Sequence, residues 1–315
     1  MYDITILENS SSNCFDSVIY SLLKRYNFDY EAYNIKYFYT DYYEPLNYTT
    51  MRIKRGKFYP NILKDIFGIN VVVKDSEESN NLLETIRNPL KNTPIGITID
   101  PYYCHWSPFY QKAHYSHMVL IVDIDWQDRK YVCFDVHFNS VGYAKIDFDT
   151  VNKNFRQYFI FDFKETHELN SELIMAKINA ILAHTLNNFN GNSAEKTTEL
   201  VSYFASNDRK ELFPANLETS IPLINLMWIA EDKRHFPIAL KYIERKAQKS
   251  IFSSVYGLLV ASEKSFALLR SVLIKYAVSG VFREETLKNI IAQIYDTDAL
   301  IVEHMKTALK EINCI

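Results

Sequence analysis

The sequence predicts an α+β domain followed by an all-α domain. Three observations carry this. Apolar positions recur at helical spacing near the start of the chain. Short β-prone runs separated by turns then continue to about residue 163. Beyond residue 169 the strand signals thin out and helical periodicity takes over. The boundary is expected between a domain over 1–166 and a helical domain over 167–315. A chain of 315 residues ordinarily makes about two domains, and 48% hydrophobic with 15% aromatic residues supplies a core for each.

Residues 1–8 read as a short strand, and the Asn- and Ser-rich turn 9–13 is material for capping a helix. From Cys14, the positions Val18, Ile19, Leu22, Leu23 and Tyr26 fall on one helical face. A second helix is expected over 29–43, with an aromatic face of Tyr30, Tyr33, Tyr37 and Phe38 that reads as core. A short helix over 61–67 stops at Gly68, a strand follows over 70–74, and a helix over 79–88 stops before Pro89. The strand 95–99 leads into 101–117, which is aromatic, broken by Pro101 and Pro108, and carries three histidines. Residues 118–124 and 131–134 flank a polar turn and read as a hairpin, with strands 142–148 and 157–163 after it. The second half is expected as helices over 169–187, 194–205, 221–229, 237–246, 251–278, 283–295 and 298–312. Breaks fall at 188–192, near Pro214 and Pro222, and at Gly280.

The net charge is −3, so no strong field is available to recruit nucleic acid or an anionic membrane. The basic cluster 51–57 reads as a solvated turn, with docking of an acidic partner or a phosphate as the alternative. No apolar run is long enough to span a bilayer, and residues 1–13 lack the pattern of a signal peptide. The four cysteines, Cys14, Cys104, Cys133 and Cys314, make no CxxC pair. A reducing, cytoplasmic location is therefore expected. Neither a cofactor nor a metal is expected, and the oligomeric state is left open, a homodimer included.

A lone cysteine near a helix start is ordinarily a small buried hydrophobe. Cys14 has company. His117 enters the first hairpin strand and Asp135 leaves the second, so the two side chains can meet across eighteen positions. A His held by an Asp can act as a general base. The first turn of a helix, with its unpaired N–H groups and positive dipole end, favours a thiolate. A Cys on an early helix with His and Asp on later strands is the chain order of papain-like cysteine catalysts.

The first half resembles the N-terminal domain of the butirosin biosynthesis protein H family. The resemblance rests on Asn13-Cys14 at the helix start, on Tyr102 to Lys112, on His114 to His117 entering an apolar strand, and on Cys133-Phe134-Asp135. It implies a papain-like fold and an acyltransferase that moves an acyl group from an acyl carrier protein thioester, or another thioester donor, to an amine-bearing small molecule or peptide in natural-product biosynthesis. Cys14, His117 and Asp135 are then the implied triad. Asn9 or Asn13 is the side-chain amide beside the oxyanion, with helix capping as the competing role. Trp106, Tyr110 and Gln111 line an acceptor pocket or simply pack the loop. The chain departs from the family at His105, where members carry Pro, which places a second imidazole near the site.

Three other readings stay open. A cysteine peptidase or an amide or thioester hydrolase would use the same three residues. A non-catalytic scaffold would bind a carrier protein or peptide. Cys104, His105, His114 and His117 are zinc-competent groups, but their spacing matches no structural zinc pattern.

Overall fold

The computed structural model describes residues 4, 13–42, 58–78, 81–135, 142–163, 171–188, 193–207, 209–213, 217 and 220–311. The strand expected over 1–8, apart from Ile4, lies outside them, as do the basic cluster 51–57, Asn9 and Cys314. The chain forms two compact units. The first comprises Met1–Tyr30 and Pro60–Leu169, and the second Glu31–Tyr59 and Asn170–Ile315. The segment around residues 31–42, read from sequence with the first half, thus groups with the helical unit.

The first unit is built on one six-stranded antiparallel sheet. Its strands are β1 (Asn70–Asp75), β2 (Ile95–Ile99), β3 (His117–Asp125), β4 (Lys130–Asp135), β5 (Gly142–Asp147) and β6 (Phe155–Asp162), in the order β1-β6-β2-β3-β4-β5. Helix α1 (Cys14–Arg25) packs along β3, and Phe15 meets Phe159 edge-on at 5.5 Å. The other face buries Ile97, Val119, Ile121, Tyr131 and Cys133 against Leu82 and Ile86 of α4 (Leu82–Ile86) and Val151 of α5 (Phe148–Asn154). Helix α5 was not expected. Its seven residues show too little periodicity beside a strand on each side, and packing of Phe148 and Val151 decides it.

Register in the β3–β4 hairpin changes along its length. Asp125 pairs with Lys130, Ile124 with Tyr131 and Asp123 with Val132, but Ile121 pairs with Cys133 and Leu120 with Phe134. Val122 is therefore an inserted residue, a β-bulge.

In the second unit, 31–42 forms a 3-10 turn (Tyr30–Asn34) and α2 (Ile35–Tyr42), where one continuous helix was expected. Helix α3 (Phe58–Phe67) belongs, from Pro60 on, to the first unit. The second unit then continues as α6 (Ser171–Asn188), α7 (Ser193–Ser206), α8 (Arg209–Leu212), α9 (Ile221–Ala247), α10 (Ser253–Ser279) and α11 (Glu284–Glu311). Two expected breaks are absent. Helix α9 runs through Pro237, which forfeits one backbone bond. Burial of Phe236, Ala239, Leu240 and Ile243 offsets that loss. Helix α11 continues past Asp296 because Asp298 is pinned inside: Lys233 Nζ lies 3.2 Å from its Oδ1, and Ser262 Oγ donates to the same oxygen at 2.9 Å. Among the described residues no helix is long and apolar enough to cross a membrane.

Gly96 sits in β2 where a Cβ would press on Phe159 Cβ at 3.2 Å and Phe161 Cε2 at 3.3 Å, and would displace the flexible end of Met118, whose Cε lies 2.5 Å away. Gly96→Ala should cost about 1–3 kcal/mol through overpacking, read as a lower urea midpoint with an unchanged slope.

Candidate active site

Asn13 caps α1 with extended backbone, and its Oδ1 accepts from the Asp16 N–H at 2.9 Å. Its Nδ2 donates to Asp16 Oδ2, also at 2.9 Å, so both ends of the amide serve the cap. This is a reciprocal box in which the acidic partner is buried. The helix-capping role weighed for Asn13 is thus present, with its Oδ1 and one Nδ2–H both on Asp16. The cap places Cys14 as the first helical residue, where a backbone N–H has no partner within the helix.

His117 and Asp135 are both buried, and His117 Nε2 lies 2.7 Å from Asp135 Oδ2. Burial alone would lower the proton affinity of this imidazole. The hydrogen bond to Asp135, the interaction with the Cys14 side chain and the charges of both outweigh it, and the His117 pKa rises to about 9. With Nε2 taken by Asp135, the remaining ring nitrogen, Nδ1, is the one available to Cys14. Such an arrangement can accept a proton from a thiol and hold it as an imidazolium beside a thiolate.

Trp106 Nε1 donates to Asp135 Oδ2 at 2.7 Å. The structure shows its indole N–H on the carboxylate that holds His117. The loop carrying Trp106 is closed at its base by a second His–Asp pair. His114 Nδ1 is 2.7 Å from Asp100 Oδ2, and its ring stacks on Tyr102 with centroids 4.1 Å apart. Burial opposes a charge on Asp100. The hydrogen bonds from His114 and the Tyr102 N–H outweigh it and hold the carboxyl below its ordinary value. Tyr110 and Gln111 are exposed at the loop's outer turn, with Gln111 Nε2 3.3 Å from the Tyr110 hydroxyl. Gln111 has φ 54, a left-handed conformation. His105 is exposed and meets Trp106 edge-on at 5.1 Å.

Tyr115, not singled out from sequence, stands in the same neighbourhood. Burial first, then the charges of Cys14 and Asp135, push its phenol well above the ordinary range, so it remains a neutral donor. Two residues before His117, it could have been found only by knowing how the loop enters β3.

The other described thiols are unsuited to nucleophilic work. Cys104 is buried, and burial followed by the charges of Asp135 and Asp100 pushes it up to about 12. Cys133 is buried, and burial followed by the charges of Cys104 and Asp135 holds its thiol well above its ordinary value. Cys14 is partly exposed. The four zinc-competent groups do not converge. Cys104 is in the core, His114 is on Asp100 and His117 is on Asp135. Among the described residues no three His, Cys, Asp or Glu side chains are grouped to hold a metal.

Two measurements probe this site. The folded chain holds the His117 proton up to about pH 9, whereas an unfolded chain releases it near the ordinary value of 6.5. The pair's contribution is therefore complete below 6.5 and is lost as pH rises through about 9, roughly 3 kcal/mol in all. The stability gap between wild type and His117→Gln, from urea unfolding, should shrink over that window. Trp106→Phe should cost about 1–3 kcal/mol, the range for removing a donor from a buried carboxylate. No family model matches this chain, and no curated protein matches its sequence.

Proposed function

We propose that the first unit is a papain-like cysteine acyltransferase that takes an acyl group from a thioester, carried by an acyl carrier protein or a comparable donor, to an amine. The observation that carries this reading is the partly exposed Cys14 at a capped helix start, beside an imidazole whose far nitrogen is fixed by buried Asp135. The resemblance over residues 13–135 supports the choice of donor and acceptor, and with it a cytoplasmic role in natural-product biosynthesis.

The chemistry then runs in two steps. The Cys14 thiol proton passes to His117 Nδ1, and Asp135 stabilises the resulting imidazolium. The thiolate attacks the thioester carbonyl carbon, and the oxyanion accepts a hydrogen bond from the Cys14 N–H, with the Tyr115 hydroxyl as the neighbouring neutral donor. Collapse expels the donor thiolate, which takes the proton from His117 and leaves an S-acyl Cys14. The amine attacks this intermediate, gives its proton to His117 and leaves as the amide. The Cys14 thiolate recovers the proton. Water in place of the amine would give hydrolysis through the same intermediate.

Intact-protein mass spectrometry after incubation with a simple acyl thioester tests this. The expected result is an adduct on wild type, none on Cys14→Ala or His117→Ala, and discharge on adding an amine. Asp135→Asn should acylate more slowly, and Cys104→Ala should behave as wild type. Discharge by water alone would replace the transferase with a hydrolase. An adduct that survives Cys14→Ala and is lost in Cys104→Ala would overturn the assignment.

A further inference from the structure

The first unit has a cleft at the opposite end of the helix that carries Cys14. It measures about 520 Å³, within the roughly 300–1,000 Å³ of small-molecule sites. Arg25 reaches it from the last turn of α1, and Arg87 and Lys91 reach it from the segment that follows α4. One carboxylate, Asp123 of β3, also lines it, and its Oδ1 accepts from the Ile124 N–H at 2.8 Å. Leu90, Ile124 and Trp126 supply apolar wall. The Arg87 guanidinium lies 5.3 Å from the Trp126 ring centroid, which fixes it at the cleft.

The charge here runs against the rest of the chain, whose net charge is −3. A cation in the last turn of a helix is explained by the helix dipole, and that accounts for Arg25. It does not account for two more cations brought to the same cleft from another element. Set against the single carboxylate of Asp123, the three cations leave this partly apolar space with an excess of positive charge, which a bound anion complements. Guanidinium forks match phosphate oxygens, and an ammonium adds a point charge.

We propose that this cleft binds a small ligand bearing a phosphate-type dianion on Arg25, Arg87 and Lys91, with its apolar portion against Trp126 and Ile124. Helix α1 separates the cleft from Cys14 by about 17 Å at 1.5 Å per residue. The site is therefore distinct from the Cys14–His117–Asp135 cluster, and its ligand binding does not rest on the chemistry proposed there.

Calorimetric titration of the full chain with phenyl phosphate tests the proposal. Saturable one-to-one binding is expected, weakening as salt is raised. Arg25→Gln and Lys91→Gln should each weaken it about ten-fold, as expected for loss of one charge-assisted contact. Lys91 is exposed, so its variant keeps the test valid should Arg25→Gln unfold. Cys14→Ala should bind as wild type. The proposal is overturned by absence of saturable binding, by equal affinity for benzoate, by unchanged affinity in Lys91→Gln, or by loss of binding in Cys14→Ala.

Discussion

The hydrogen bond between His117 and Asp135 depends on a single extra residue. In a two-residue side-chain period, residues on paired strands share a face only when their register allows it. Near the turn, β3 and β4 pair as Asp125 with Lys130 and Asp123 with Val132. Continued unchanged, that register would set Asp135 opposite Leu120, and His117 would point to the other side of the sheet. The bulge at Val122 shifts the pairing by one, so that Ile121 meets Cys133. Asp135 then shares a face with Cys133, Ile121, Val119 and His117, and it reaches His117 diagonally.

Once that face is set, the surroundings follow from burial. A carboxylate and an imidazole with almost no solvent contact need every nearby donor they can gather. Trp106 supplies one on Asp135. The loop that carries Trp106 cannot wander, because Asp100 and His114 clip its two ends together and Cys104 anchors its middle in the core. The same burial that raises the thiols of Cys104 and Cys133 makes them inert. The partly exposed Cys14, at the capped helix start, interacts with the imidazole of His117.

The helical unit shows where local signals mislead. Pro237 and the polar run around Asp296 both read as helix ends, yet both lie within continuous helices. In each case a long-range term outweighs the local one. Buried apolar neighbours carry α9 through its proline, and the Lys233–Asp298–Ser262 cluster draws α11 inward. Asp298, which looks like a surface breaker in one dimension, ties α11 to Lys233 of α9 and Ser262 of α10.

The sequence by itself determined the α+β character, each of the six strands to within about two residues, the capped helix at Cys14 and the residue types of the Cys–His–Asp set. These are local: period-two and period-3.6 patterns, capping chemistry and turn residues leave marks within a dozen positions. The tertiary structure decided the rest. It set the amide of Asn13 against Asp16, put the indole N–H of Trp106 on Asp135, and added Tyr115 to the neighbourhood. It drew the segment 31–42 into the helical unit, and gathered Arg25, Arg87 and Lys91 around one cleft. Each depends on which distant groups compete for the same hydrogen bond or the same buried face. One inserted residue in a strand changes that outcome without leaving a signal in composition or periodicity.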